Sequence, residues 1–396
     1  MRQSDLQSPQ KSVPAILDQV HELGREVLAP HADAVDREAR FPEESFQALK
    51  AAKLLSCYVP VEYGGMGLPV STLSKICETL AGYCGSTAMI FAMHQIQVAC
   101  IVHHALSSGY FRDYARELVE HQRLLASATT EMGTGGDVRS SICAVHVAGD
   151  RFTLEKQAPV ISYGEAADGI LVTCRSSPEA GRNDQSHVLV KKDGCVLTPL
   201  SGWDTLGFRG TCSSGFTLTA EGQASQVLPV PYPEIHARTM HPFSHIVWSS
   251  LWLGIAAEAV NRARAYVRAE ARKTPGTMPP TALRLAEADA RLFSMRSGVQ
   301  QAVADYAQML TDGAPESFSS NFGFAIRINN LKVASSELLV EIVGRAMMIC
   351  GISGYRNDSR FSLGRQLRDA YGAALMVNND RILGQSSTMQ ILQREG

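Results

Sequence analysis

The hydrophobic period of this chain changes twice along its 396 residues, and that constrains the fold more than any other feature. Ile16, Val20, Leu23 and Val27 recur at helical spacing, and Leu73, Ile76 and Leu80 open a second stripe that runs on towards His104. Between about residues 125 and 235 the pattern shortens to β-branched runs, "RFTLEK", "GILVTC", "HVLVKK", "CVLTPL" and "GFTLTA", separated by Gly, Asp, Asn and Ser. After Pro242 the helical period returns: Leu285, Leu292, Val299 and Tyr306 stand seven apart, with Ala288, Met295 and Ala302 between them. "TPGTMPPT" and "TDGAPESFSSN" interrupt these helices, because Pro and Gly disfavour continued helix by clash and by entropy. A block of helices, a block of strands and a second block of helices is not the strand-helix alternation of a doubly wound sheet, so a nicotinamide-binding domain of that type is disfavoured. The expected fold class is α+β, mainly α. It comprises an N-terminal helical domain over 1–124, a β domain over 125–236 and a C-terminal helix bundle over 237–396.

Charge narrows the partners. A formal net charge of −2, with Lys and Arg scattered, leaves no basic footprint for nucleic acid, so a small or protein-carried substrate is expected. Cysteines 57, 77, 84, 100, 143, 174, 195, 212 and 350 show no zinc-ligand spacing, so no metal is predicted, and they read as reduced thiols of a cytoplasmic protein. "MRQSDLQSPQKS" lacks the apolar run of a leader, and no uninterrupted apolar stretch reads as a membrane span.

"SATTEMGTGGDV" (127–138) carries the first chemical signal. Three glycines within four residues let a turn bring several N–H groups against an anion, and Thr129 and Thr130 add hydroxyls. It occurs in one order with "VPVEYGGMGL" (59–68), "WDTLGFRGT" (203–211), "RKTPG" (272–276) and "CGISGY" through "LRDA" (350–370). Together these motifs, spread over nearly the whole chain, resemble the acyl-CoA dehydrogenase superfamily. The resemblance implies a helical domain, a middle β-barrel-like domain and a four-helix bundle, assembled as a tetramer or dimer with FAD between domains and across a subunit interface.

On that resemblance Thr130 stands beside the flavin, and Gly135 and Gly136 form the turn approaching it, with Gly136 replacing a usual serine. Ser162 falls where a hydroxyl meets flavin N5, an atom that gains electron density on reduction. Val160 stands where a tryptophan often faces the flavin. Arg272 and Thr274 match residues that reach a neighbouring subunit's FAD, where a guanidinium suits a pyrophosphate, while Pro275 replaces the usual aromatic.

Oxidation of an acyl thioester needs a base for the α-proton, usually a carboxylate of raised basicity. In the family it is a glutamate in one of two places. The first reads Leu383 against Leu383-Gly384-Gln385, or Val377 when counted from Arg368-Asp369-Ala370; the second reads Ser244 or His245. No register supplies an acid. Asp380 is the nearest carboxylate, in a helix-start pattern "NNDR" that equally suits backbone capping, and His245 and His94 are the other proton-handling candidates. The resemblance thus implies an FAD-dependent dehydrogenase acting on a thioester of CoA or a carrier protein, in a specialised biosynthetic role, with an electron-transfer flavoprotein or oxygen as acceptor. Flavin-dependent monooxygenases of the same fold are the alternative enzyme, being similar in the missing glutamate, the helix histidine and the Ser162-Tyr163-Gly164 turn. A catalytically weakened flavoprotein acting as a binding subunit is the non-enzymatic alternative.

Overall fold

The computed structural model describes residues 12–312 and 322–392. The expectation about a leader at the N-terminus, and most of "TDGAPESFSSN", lie outside the described residues.

Six helices open the chain: α1 (Val13–Leu23), α2 (Ala29–Glu38), α3 (Glu43–Ala51), α4 (Val70–Tyr83), α5 (Gly85–His104) and α6 (Gly109–His121). Ser12 caps α1 by accepting from the Ala15 N–H at 3.4 Å. The first apolar stripe departs from the simple period. Ile16 and Val20 are buried as expected, but a π-helical turn over Gly24–Leu28 adds a residue, so Gly24 and Leu28 take the inner face and Val27 is only half-buried. Gly24 is required there, since a Cβ would lie 2.2 Å from the Tyr83 ring.

α5 is apolar on every side. By length and overall composition it could cross a membrane, as could the run Tyr232–Ala271, although His94, Gln95 and Gln97 interrupt its apolar residues. Both are mostly buried against the protein's own core, where a helix without a polar face belongs.

The five quoted β runs form β3 (Arg151–Ala158), β4 (Gly169–Arg175), β5 (Gln185–Lys191), β6 (Cys195–Ser201) and β7 (Gly215–Gln223), joined by β1 (Leu125–Ala128) and β2 (His146–Ala148). One sheet has the order β1-β4-β5, with β1 parallel to β4; the other has the order β2-β3-β7-β6 and is antiparallel throughout. β3 alternates exposed and buried residues along its length, the mark of a strand with one wet face, whereas β4 is buried on both faces.

Helices resume with α7 (Tyr232–Ile235), a π-helical turn (His236–Met240), α8 (His241–Ala271), α9 (Thr281–Asp312), α10 (Phe322–Cys350), α11 (Ile352–Tyr355), α12 (Gly364–Leu375) and α13 (Asn379–Leu392). α8 packs against α4, α9 and α10, and α10 against α12 and α13. The seven-residue spacing of α9 is its packing seam: Ala288, Leu292, Met295, Val299, Val303 and Tyr306 are buried. Each large apolar side chain there contributes roughly 1.5–3 kcal/mol by leaving water.

Two of the quoted motifs prove to be halves of one joint. In "LRDA", the buried Asp369 accepts the Phe208 N–H of "WDTLGFRGT" at 2.6 Å. A Cβ on Gly207 would come within 2.3 Å of the Arg368 carbonyl oxygen, so the two backbones touch.

Candidate active site

The π-helical turn before α8 gathers three histidines. A spacing of five residues across that turn puts His236 and His241 on one side with rings stacked at 5.8 Å, and the ordinary helical step to His245 follows at 4.6 Å. They line a cavity of about 110 Å³ together with Thr129, Asp137, Tyr232, Ser244, Trp248, Asn329, Val377 and Arg381. A more open cavity of about 530 Å³ shares Asp137, Arg139, His236, His241, Asn329 and Gln385 with it and extends to Phe322 and Met389. The site thus sits among the glycine-rich loop and α8, α10 and α13.

Burial holds these imidazoles neutral. His236 is pushed down to about 3, and His241 is lowered by the same loss of water, opposed by its 2.7 Å hydrogen bond to Asn329 Oδ1. His245 is lowered well below the usual value, first by desolvation and then by His241 and Lys332. Its tautomer follows from its neighbour. Ser244 Oγ donates to the His241 carbonyl at 3.0 Å, so towards His245 Nδ1, 3.2 Å away, it acts as acceptor and the ring proton sits on Nδ1. Nε2 is left as a buried lone pair with no partner among the described residues. Among the described residues no group of three or more His, Cys, Asp and Glu could hold a metal ion.

A second polar line leads to Ser162. Ser213 Oγ donates to Ser162 Oγ at 2.8 Å and meets Thr211 Oγ1 at 2.8 Å, and Thr211 also reaches the Phe208 carbonyl at 2.8 Å. With Ser213 as donor, the proton of Ser162 is free to point outward. The backbone here is held in a costly shape: Tyr163, Phe208 and Cys212 all have φ between 44° and 49°, a left-handed region that disfavours side chains. Cross-bonds from Tyr163 N to the Thr211 carbonyl and from Ile161 N to the Ser214 carbonyl, each 2.8 Å, keep it so.

The glycine-rich loop fits the flavin side only in part. Gly133, Gly135 and Gly136 all have positive φ, which explains the three glycines. The Gly135 and Gly136 carbonyls are covered by the Arg381 guanidinium, and a Cβ on Gly136 would meet that group at 2.7 Å, so only glycine leaves room for this contact. Thr129 lines the cavity, while the Thr130 hydroxyl donates to the Val160 carbonyl at 3.3 Å, joining the loop to the Ser162 segment. Beneath, Glu131 receives the Cys143 and Ile142 N–H groups at 2.6 and 3.0 Å and pairs with the buried Lys156 at 3.7 Å. The outward hydroxyl of Ser162, on a rigid turn beside Thr130, is a donor set that suits flavin N5.

Two of the proposed proton carriers stand apart from the cavity. His94 is fully buried with both ring nitrogens in use: Nδ1 accepts the Leu125 N–H at 2.9 Å and Nε2 meets the Leu55 carbonyl at 2.8 Å. Burial pushes it down to about 4, and it fastens α5 to β1 with neither nitrogen spare for a substrate. Asp380 is exposed in the first turn of α13 and is absent from the cavity lining, its own N–H capped by Asn378 Oδ1 at 2.9 Å, while Arg381 turns away to the glycine loop. Val377, at the other candidate position, does line the cavity, and does so with a φ of 58°. Arg272 and Thr274 are exposed beyond the far end of α8, whose 31 residues place them about 45 Å along its axis from His241. Within one chain they therefore lie far from the histidine cavity. Sequence reasoning missed His236, His241, Asn329 and Tyr232. The three histidines within "HARTMHPFSH" were a signal, hidden by the five-residue step.

Two family models match the chain: the acyl-CoA dehydrogenase N-terminal domain over residues 11–109 and the C-terminal domain over residues 240–376. Cyclohex-1-ene-1-carbonyl-CoA dehydrogenase of Geobacter metallireducens is 26% identical over 92% of this chain and 94% of its own. Among solved structures, FMN-bound TdsC of Paenibacillus sp. A11-2 has a TM-score of 0.83 at 19% identity, covering 96% of this chain and 98% of its own. Butyryl-CoA dehydrogenase of Megasphaera elsdenii has a TM-score of 0.78 at 20% identity, covering 99% and 100%. The chain belongs to the acyl-CoA dehydrogenase family and is a flavoprotein oxidoreductase of that kind.

Proposed function

We propose that this enzyme uses FAD to oxidise an acyl thioester, carried on CoA or a carrier protein, at its α,β-bond, with His245 in place of the missing glutamate. The observation that carries the reading is that His245 lines the cavity and that its buried Nε2 has no partner among the described residues. A neutral imidazole is already in the form that accepts a proton, and water exclusion keeps it so. When bound, the flavin would supply the hydride acceptor. Ser162 would hold flavin N5, with Ser213 and Thr211 orienting its hydroxyl. Arg272 and Thr274 would serve the flavin of a neighbouring copy, which makes a dimer or tetramer the working form; an electron-transfer flavoprotein or oxygen would reoxidise the flavin.

A flavin monooxygenase is the second reading. It is favoured by the lining of the cavity, where Asp137 is the sole carboxylate among the described residues; that side chain is half-exposed and tied to Arg139, whose N–H it accepts at 3.1 Å. The two are separated by mixing flavin-loaded protein with acyl-CoA and acyl-carrier thioesters without oxygen and following the oxidised-flavin absorbance. Bleaching that is lost in His245→Gln supports the dehydrogenase. No bleaching across the panel, with rapid oxygen uptake by the chemically reduced protein, would sink it in favour of the monooxygenase.

A further inference from the structure

Beneath the glycine-rich loop two thiols stand side by side. Ala144 pairs with Arg175 in a parallel bridge, fixed by hydrogen bonds from Arg175 N to the Cys143 carbonyl at 2.8 Å and from Val145 N to the Arg175 carbonyl at 3.0 Å. That register sets Cys143 opposite Cys174 on one face of the sheet. Neighbouring strands run about 4.8 Å apart, inside the Cα separation of about 4.4–6.8 Å that a disulfide spans. The Cys143 thiol lies 4.0 Å from the Thr173 carbonyl, on the Cys174 strand, and a hydrogen bond joins the two thiols. Cys174 is buried and Cys143 half-buried, so a small oxidant meets Cys143 first. The buried Lys156 Nζ donates to the same Thr173 carbonyl at 2.6 Å, and a cation beside a thiol favours the nucleophilic thiolate. The Cys174 hydrogen bond, opposed by burial and aided by Lys156, holds the Cys143 thiol below its usual range, while the same bond and burial hold Cys174 well above it. Elsewhere burial pushes Cys57 up to about 12, and Cys195 and Cys350 up to about 11. Both strands are tied to the loop above them: the Cys143 N–H is held by Glu131 Oε1 at 2.6 Å, and Thr173 Oγ1, beside Cys174, donates to the Thr129 carbonyl at 3.3 Å.

We propose that Cys143 and Cys174 form an oxidation site for hydrogen peroxide, and that closure of their disulfide loosens the glycine-rich loop. The Cys143 thiol gives its proton to solvent and its sulfur attacks one peroxide oxygen; the O–O bond breaks, and the departing hydroxide takes up a proton and leaves as water. Cys143 is then a sulfenic acid. The Cys174 sulfur attacks the Cys143 sulfur, the S–O bond breaks, and hydroxide leaves with the Cys174 proton as a second water. Two thiols are oxidised to one disulfide and one peroxide is reduced to two waters. Closing the bond draws the sulfurs to about 2 Å apart and pulls on the Cys143 N–H that holds Glu131. The oxidation stands apart from the proposed acyl chemistry, and its effect on the flavin rests on the assignment of this loop to the flavin side.

To test this, flavin-loaded protein is treated with hydrogen peroxide, its remaining thiols are alkylated in denaturant, and its tryptic peptides are compared by mass spectrometry with and without dithiothreitol. A disulfide-linked pair of peptides 140–151 and 157–175 should appear, and dithiothreitol should split it. Cys174→Ser should lose the link and leave Cys143 as a sulfenic acid that dimedone captures, while Cys143→Ser should lose both. Peroxide should weaken flavin retention by wild type about tenfold on ultrafiltration, as for loss of one hydrogen bond, with recovery in dithiothreitol and no change in Cys143→Ser. No linked peptide, or Cys143 linked equally to other cysteines, overturns the site. A linked peptide with unchanged flavin retention overturns the effect on the loop and leaves the oxidation site standing. Should Cys174→Ser fold poorly, the linked peptide of wild type decides the matter.

Discussion

Replacing His94 by Leu distinguishes a structural imidazole from a catalytic one. The side chain removed is fully buried, and its loss strands the Leu125 N–H, which gives His94 Nδ1 its hydrogen bond; the Leu55 carbonyl keeps Gln95 Nε2 at 3.0 Å. One unsatisfied buried donor costs about 1–3 kcal/mol, so near neutral pH the variant should be about 2 kcal/mol less stable. The gap must also depend on pH. Burial holds His94 at about 4 when folded against 6.5 for the free side chain, so the unfolded chain binds the extra proton between those values. The stabilising contribution is complete above pH 6.5 and is lost as pH falls towards 4, amounting to about 3 kcal/mol over the whole window and about 2 kcal/mol by pH 5. Urea titrations followed by circular dichroism should therefore show wild type and His94→Leu separated at pH 7.5 and nearly coincident at about pH 5. Anaerobic flavin reduction should change less than about threefold, since no bond from His94 reaches the cavity. A variant of unchanged stability with flavin reduction abolished, or a stability gap independent of pH, would refute the reasoning.

Asp380→Asn should leave flavin reduction within about twofold of wild type, because the carboxylate faces solvent outside the cavity lining; a loss of more than tenfold in stopped-flow measurements would restore it as a base. Ser213→Ala should free the Ser162 hydroxyl, shifting the visible spectrum and lowering the midpoint potential of the bound flavin, and Ser213→Thr should restore both; identical spectra in all three proteins would remove the positioning role. Val377→Gly should stabilise the protein by about 1 kcal/mol, because a β-branched residue at φ 58° is strained where glycine is not, and a lower melting temperature would contradict that account.

The order of helices, strands and helices was legible because local periodicity reports it directly, and the scattered motifs were legible because a joint such as Asp369 with Phe208 needs particular residues at both ends. The expectation that the family glutamate is replaced comes from the same motifs. What would replace it was not legible there. The five-residue step from His236 to His241 arises from a π-helical turn that no 3.6-residue pattern displays, and it alone brings the histidines onto one wall. His94 and His245 look alike in sequence, each a histidine on an apolar helix. Folding gives His94 a partner for each nitrogen and leaves Nε2 of His245 without one among the described residues, because hydrogen-bond satisfaction depends on groups such as the Leu125 N–H that lie far away along the chain. Sequence determined which elements form, through side-chain spacing within each one; only the tertiary structure decided which polar atoms remain unpaired, because pairing is settled between elements rather than within them.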